Sequence, residues 1–382
     1  MDITITPSLL EGDIEIIPSK SIAHRALICS AFADKVTELV CTETNRDIEA
    51  TVDCLRAIGV DIRRVEHGFI VTPLKCIPQW AVMNCCESGS TLRFLLPVVG
   101  ALGIDTTFLM EGRLPERPLS PLWEEMERMG CSLSRPTENT LRCQGRLRQG
   151  DYAIDGGVSS QFISGLMLAH WLMKDCTLTI TGNLESEPYV NMTKYVLSVF
   201  KNRKSPIFYR IEGDWSNGAF WIAANALGND LNIIGMQSRS IQGDREVVPI
   251  LRVLDKKCIT ISVKDIPDLV PILSVAASMN HGAVFTDIRR LRLKESDRVA
   301  STIAMLRALG GEASDTENEL TIYPAKLTGG TVNAMNDHRI AMSAAIAATV
   351  SSGPVTILGA ECVNKSYPKF WDEYSRLGGK YE

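Results

Sequence analysis

The run Ser19–Thr72, SKSIAHRALICSAFADKVTELVCTETNRDIEATVDCLRAIGVDIRRVEHGFIVT, carries the pattern from which the fold is read. A small polar opening, Ser19-Lys20-Ser21, leads into the apolar run Arg25–Phe32 and predicts a helix from about Ser21. A β-type stretch follows at Thr37–Cys41, then an amphipathic helix over Asp47–Ile58. Val60–Val65 and Phe69–Thr72 read as paired strands around His67-Gly68. The run is summarised as one βαβαββ unit.

The same opening recurs along the chain. It returns as Ser88-Gly89-Ser90-Thr91, Ser159-Ser160-Gln161, Ser216-Asn217-Gly218, Pro267-Asp268 and Asn336-Asp337-His338. Each copy runs into an apolar stretch: Leu92–Leu102, Phe162–Met173, Ala219–Leu227, Leu269–Ala277 and Ile340–Val350. Successive openings lie 69, 71, 57, 51 and 69 residues apart, so a full unit is about 70 residues and the third and fourth are each short by roughly one β-hairpin. The shortfalls fall around Lys201–Arg210 and Lys256–Lys264, and they are expected to leave smaller sheets with exposed edges. The fold class is therefore α/β, built of six βαβαββ-type repeats with the third and fourth shortened. A chain of 382 residues is long enough for two domains.

Ser, Thr, Asp and Asn cap helix N-termini, where unpaired N–H groups and the positive end of the dipole attract anions. Lys20, Arg25, Arg93, Arg117, Lys294, Arg298, Arg339 and Lys365 stand at or near these openings, a pairing that reads as phosphate and carboxylate binding. The net charge of −5, with no basic run, argues against a nucleic-acid partner and for cations gathered in a cleft. Met1–Thr6 alternates like a strand, no secretory signal is evident, and no uninterrupted apolar stretch reads as a membrane span. The eleven cysteines are scattered without metal or redox spacing and read as reduced thiols of a cytoplasmic protein.

The strings PSKSIAHRAL, ESGSTLRFL, RLPERPLSPL, SSQF, IEGDWSN, IPDL, RLKESDR, NDHRIAM and CVNKSYPKF, in this order from Pro18 to Phe370, resemble those of the 5-enolpyruvylshikimate-3-phosphate synthase family. The resemblance implies a two-domain enolpyruvyl transferase fold with three repeats per domain around a pseudo-threefold axis and helix N-termini facing an interdomain cleft. It implies one domain over residues 18–213 and a discontinuous one over 1–17 plus 214–382. The activity implied is that of a 3-phosphoshikimate 1-carboxyvinyltransferase, moving the enolpyruvyl group of phosphoenolpyruvate to the 5-hydroxyl of shikimate 3-phosphate and releasing phosphate. Two polyanions held side by side require fixed cations and backbone donors between them. The resemblance implies no cofactor and no metal, only the two small-molecule substrates, and a monomer.

Residue by residue, the resemblance places Lys20 against both substrates, with Ser21, Arg25, Ser159, Ser160 and Ser186 on shikimate 3-phosphate and Gln161 reaching both. It places Gly89, Arg117, Arg298, Arg339 and Lys365 on phosphoenolpyruvate, where Gly89 lets the backbone approach closely. Asp268 becomes the candidate base on the 5-hydroxyl, with Lys294 beside it. Glu295, with Lys20 or Lys365, becomes the candidate for proton traffic at the methylene. Gly89 further implies sensitivity to glyphosate.

Taken alone, several of these residues read more plainly. Lys294–Arg298, after an Arg-rich strand, reads as a solvated helix start with local ion pairs. Asp268 reads as an N-cap, and His24 and His338 as structural histidines. The chain departs from the family pattern at Pro18, where a Gly is usual before the lysine loop, at Glu87 and Phe94, and at Arg290, where an Asn that touches shikimate 3-phosphate is often found. Two alternatives stand beside this reading. A UDP-N-acetylglucosamine enolpyruvyl transferase would carry a reactive cysteine in the loop that is Glu111–Pro121 here, which has none. A degenerate repeat protein that only binds a phosphorylated metabolite would not need the base.

Overall fold

Helix starts in this chain are set by capping and helix burial by composition. The Asn45, Ser88, Asp214, Asp297 and Asp337 side chains each accept a backbone N–H two or three residues ahead, which fixes where five helices begin. The computed structural model describes residues 1–200 and 208–382, and these divide into two units, 1–17 with 213–382 and 18–212. The chain begins with β1 (Ile3–Thr6) and β2 (Glu11–Glu15), which join sheets completed by its second half.

The unit 18–212 opens with α1 (Lys20–Ala31), β3 (Thr37–Val40), α2 (Arg46–Ala57), β4 (Asp61–Val65) and β5 (Gly68–Thr72). Its second repeat comprises β6 (Trp80–Asn84), α3 (Gly89–Leu102), β7 (Asp105–Leu109), α4 (Leu122–Arg128), β8 (Cys131–Ser134) and β9 (Thr140–Gly145). In β6–β9 the first two strands pair in parallel across α3 and the closing hairpin adds antiparallel, giving the order β6-β7-β9-β8. The third repeat has β10 (Gly150–Asp155), α5 (Ser160–Leu172), β11 (Cys176–Thr181) and α6 (Glu187–Val199). It stops at a two-stranded parallel sheet, and β12 (Phe208–Arg210) pairs instead with β3. Of the shortfall expected around Lys201–Arg210, residues 201–207 lie outside the described residues.

The other unit repeats the plan. β2, α7 (Trp215–Ala226), β13 (Asp230–Ile234) and α8 (Val247–Leu254) again give a two-stranded sheet, since only four residues separate α8 from β14 (Ile259–Ser262). The fifth repeat is complete: β14, α9 (Val270–Met279), β15 (Ala283–Thr286), α10 (Arg298–Ala308), β16 (Glu312–Asp315) and β17 (Glu319–Tyr323). The sixth joins β18 (Gly330–Asn333), α11 (His338–Ala348), β19 (Val355–Leu358), α12 (Phe370–Arg376) and β20 (Lys380–Tyr381) to the N-terminal β1, in the order β18-β19-β1-β20. Among the described residues, both shortened repeats thus have two-stranded sheets.

The core of each unit is helical. Every residue of α11 is buried, and so are nearly all of α3 and α9, as expected of helices that are apolar all round. In the unit 18–212, α3 and α5 touch backbone to backbone, for a Cβ on Gly165 would stand 2.2 Å from the Arg93 carbonyl oxygen. That carbonyl is four residues before Pro97, which has no N–H to give it, so the approach exploits a gap in the helix ladder.

Three local expectations are corrected. The helix α7 starts at Trp215 under an Asp214 cap, so Ser216-Asn217-Gly218 lies inside its first turn, not ahead of it. The N-cap position of α9 is Leu269, and Asp268 does not cap; its carboxylate is drawn away by cations. The Arg-rich stretch Arg289–Leu293 is a 3₁₀ turn, not a strand.

Candidate active site

In the unit 18–212, side chains at the starts of four helices are tied together. Lys20, the first residue of α1, donates to Asp47 Oδ2 of α2 at 2.8 Å, and the Thr91 hydroxyl of α3 donates to the Asp47 carbonyl at 3.4 Å and to Ser88 Oγ at 2.7 Å. Thr91 Oγ1 also lies 2.7 Å from Thr51, which in turn meets His24 Nδ1. Burial holds His24 down to about 3, so the imidazole is neutral and serves as structure, as the plain reading held. Gln161, at the start of α5, donates to Ser90 Oγ at 2.9 Å and accepts from Arg93 Nη1 at 2.7 Å. Arg93 Nη2 donates to the Pro118 carbonyl, which anchors the strand of chain that carries Arg117.

Gly89, the first residue of α3, faces both arginines. A Cβ there would lie 2.8 Å from Arg117 Nη1 and 3.0 Å from Arg93 Nη1. Two guanidinium groups, the α3 N-terminus and the Gln161 amide therefore converge on one spot, a set of donors whose chemistry suits an anion. Ser159 caps α5 by accepting from the Gln161 N–H at 3.3 Å, and Ser160 is buried at the first position of that helix. Ser186 is buried ahead of α6 at φ 57°, a left-handed conformation that a short polar residue tolerates. Arg25 is buried, and its guanidinium donates to Thr193 Oγ1, Ser164 Oγ and the Ser21 and Tyr189 carbonyls. It binds α1 to α5 and α6 in addition to any ligand contact.

The second cluster, in the other unit, is a knot of charges centred on Asp268. Its Oδ1 accepts from Arg298 Nη1 at 2.7 Å and its Oδ2 from Arg339 Nη2 at 2.8 Å, with Lys294 Nζ 3.8 Å away. Arg298, fully buried, spends its other nitrogens on Glu295 Oε2 at 2.6 Å and on Asp337 Oδ2 at 3.1 Å. Asp337 also caps α11 through the Arg339 N–H and accepts from Ser296, so one carboxylate orients both arginines. Burial pushes Asp268 up, but the charges of Arg339, Lys294 and Arg298 outweigh it and hold the carboxyl well below its usual range. Burial likewise lowers Lys294, against the pull of Asp268, to about 8. Lys365 closes the 3₁₀ turn Ala360–Lys365 and is half-buried.

Asp268, Lys294, Glu295, Arg298 and Arg339 are thus joined in one network through Asp268 and Arg298, while Arg117 and Arg93 both stand beside Gly89 and Arg93 holds Gln161. The plain reading of Lys294–Arg298 as a solvated helix start fails, because Arg298 has no exposed surface. Asp47 and Asp244 were not singled out from sequence as site residues, and Asp337 only as part of a helix opening. Asp244 is a buried carboxyl that accepts from the Ser216 hydroxyl, and burial followed by the charge of Asp268 pushes it up to about 7. Among the described residues there is no group of three His, Cys, Asp or Glu side chains that could hold a metal, and no helix long and apolar enough to cross a membrane.

Residues 5–374 match the sequence profile of the family described as EPSP synthase (3-phosphoshikimate 1-carboxyvinyltransferase). The 3-phosphoshikimate 1-carboxyvinyltransferase of Clostridium kluyveri is 36% identical over 419 aligned positions, covering 100% of this chain and 98% of that protein. That of Clostridium acetobutylicum is 37% identical, covering 99% and 97%. The alignment, at 419 positions, is longer than the 382 residues of this chain. Among solved structures, an EPSP synthase of Acinetobacter baumannii superposes with a TM-score of 0.79 at 22% identity, covering 100% of this chain and 99% of that one, a likeness of fold.

Proposed function

The chain belongs to the EPSP synthase (3-phosphoshikimate 1-carboxyvinyltransferase) family, and we propose that it carries out that reaction with the residues of both its charge clusters. It transfers the enolpyruvyl group of phosphoenolpyruvate to the 5-hydroxyl of shikimate 3-phosphate, a step of the shikimate pathway, and releases phosphate. It does so as a monomer and in the cytoplasm, the latter reading supported by eleven cysteines that are all free. The two units are the enzyme's two domains, and each supplies part of the machinery.

The observation that carries this reading is the Asp268 knot. Both carboxylate oxygens are held by arginines whose forks match phosphate and carboxylate groups. While they hold it, Asp268 is a poor base. Ligand anions that engage Arg298 and Arg339 draw those guanidinium groups toward themselves, and the proton affinity of Asp268 rises from its depressed value. The base on the 5-hydroxyl is thereby switched on by the arrival of the second substrate, and Lys294 at 3.8 Å helps hold the shikimate ligand against it. Glu295, released from Arg298 in the same way, takes up a proton from solvent and delivers it to the methylene carbon of phosphoenolpyruvate, which makes C2 electrophilic for the 5-hydroxyl oxygen as the hydroxyl proton passes to Asp268. Its conjugate base takes a methyl proton back as phosphate leaves, with Lys20 or Lys365 assisting.

In the unit 18–212, Lys20 touches both ligands, while Ser21, Arg25, Ser159, Ser160, Gln161 and Ser186 bind shikimate 3-phosphate. Gly89 and Arg117 take phosphoenolpyruvate beside Gln161, and Arg298, Arg339 and Lys365 supply the remaining cations. Asp268→Asn tests the reading. It is expected to cut phosphate release about 10²- to 10⁴-fold, the usual worth of a general base, with shikimate 3-phosphate affinity little changed. Turnover near the wild-type rate with that affinity lost would remove Asp268 from the base role.

A further inference from the structure

We propose that Asp47 is a positioning residue for the transfer: it takes one of the three N–H donors of the Lys20 ammonium and so directs the other two at the two substrates. The proposal rests on the reaction assigned above and on the place of Lys20 in it, and it adds a group outside the machinery named there. Lys20 Nζ donates to Asp47 Oδ2 at 2.8 Å, and the two side chains are 17% and 10% exposed. An ammonium is a compact charge on a flexible four-carbon stem, so its direction has to come from whatever anchors it. Its three donors match one carboxylate and two ligands.

The anchor is itself held on two sides. Residues four apart on α1 and α2 form two rungs between these helices, Lys20 with Asp47 and His24 with Thr51, the second closed at 2.7 Å between His24 Nδ1 and Thr51 Oγ1. His24 and Thr51 are fully buried, and Thr51 Oγ1 lies 2.7 Å from Thr91 Oγ1 of α3. The Thr91 hydroxyl reaches the Asp47 carbonyl at 3.4 Å and Ser88 Oγ, the cap of α3, at 2.7 Å. Asp47 is thereby tied through its main chain to the helix start that presents Gly89 and through its side chain to Lys20. That fixes the ammonium relative to the donors gathered around Gly89. Helix α2 does not need the carboxylate for its own start, since Asn45 caps it by accepting from the Ile48 N–H at 3.0 Å. A carboxylate on a cation that must receive two polyanions opposes ligand binding by its charge. Its contribution is therefore direction, which counts most in the transition state, where both ligands must be met at once.

The test is phosphate-release kinetics, shikimate 3-phosphate calorimetry and urea titration on wild type, Asp47→Ala, Asp47→Asn, Lys20→Ala and the double variant Lys20→Ala with Asp47→Ala. Asp47→Ala is expected to lower kcat about 10- to 100-fold, the usual cost of a misplaced group. Its Kd for shikimate 3-phosphate should be no weaker, because a negative charge has left. Asp47→Asn keeps an oxygen that accepts from Lys20 Nζ and should recover most of the turnover. In the Lys20→Ala background, removal of Asp47 should change kcat by less than about 2-fold, since its effect runs through the missing ammonium. Three results overturn the proposal: Asp47→Asn as slow as Asp47→Ala, a kcat loss that repeats in full without Lys20, or a weakened Kd matched by a lower urea midpoint. Asp47 would then belong to the frame alone. Any of these beside normal wild-type turnover overturns this inference and leaves the reaction standing, whereas wild-type protein that releases no phosphate overturns both.

Discussion

Gly89→Ala puts the anion site of the unit 18–212 to a quantitative test. The new methyl group would stand 2.8 Å from Arg117 Nη1, 3.2 Å from Arg117 Cζ and 3.0 Å from Arg93 Nη1. Carbon atoms settle about 3.5 Å or more from their neighbours, so the Arg117 guanidinium must retreat by about 0.7 Å. Both obstructing groups are ends of flexible side chains, so the fold adjusts at small cost. Alanine is also the better helix former at the first position of α3, though there the gain is smaller than in a helix interior, and it offsets part of that cost. The guanidinium that retreats loses its alignment with the ligand. One charge-assisted hydrogen bond is worth about 1.5–3 kcal/mol, which converts to a KM for phosphoenolpyruvate roughly 10- to 150-fold higher. Steady-state kinetics with each substrate varied, together with a thermal melt, reads all three quantities. The reasoning is refuted if the phosphoenolpyruvate KM is unchanged, or if both KM values rise together while Tm falls.

Three further outcomes are expected. Asp337→Ala leaves the fully buried Arg298 without its Nε partner and α11 without its cap, and should lower stability by about 3–5 kcal/mol in urea titration, whereas a surface-like loss below 1 kcal/mol would contradict the network. His24 is held at about 3 in the fold against 6.5 when unfolded, so its contribution is complete above pH 6.5 and is lost as pH falls toward 3. Stability should drop by about 1.4 kcal/mol per pH unit in that window from this group, and His24→Asn should remove that slope in denaturation curves at pH 6.5 and 5. Lys294, lowered to about 8, loses its charge as pH rises through that value, so kcat/KM for shikimate 3-phosphate should fall above pH 8. Lys294→Arg should move that limb upward, and an unmoved limb would take Lys294 out of the profile.

The repeat architecture was legible because each element is written in local residues. The α2 and β4–β5 pattern of the first unit agrees with the sequence reading to within a residue or two, since apolar period and turn chemistry act over short range. Spacings of 57 and 51 residues announced the two sheets that end at two strands. Partnerships were not legible. Asp337 and Arg298 are 39 residues apart and Arg339 and Asp268 are 71 apart, and no periodicity announces such a meeting. Asp244 sits in an ordinary acidic turn, and only its burial distinguishes it from Glu246 beside it. The error at Asp268 has the same origin, because a capping residue and a carboxylate held by distant arginines look alike in sequence. At Ser216 the cap was assigned two residues late, since Asp214 was an equally good capping residue by type.

Phosphate release from purified protein given shikimate 3-phosphate and phosphoenolpyruvate, with each substrate omitted in turn and a chelator present, tests the central claim most directly. The account predicts release that requires both substrates and is untouched by the chelator, showing that a chain with two shortened repeats still assembles a working pair of charge clusters. Shikimate 3-phosphate that binds without any phosphate being released would contradict it and leave a binding protein in place of a transferase.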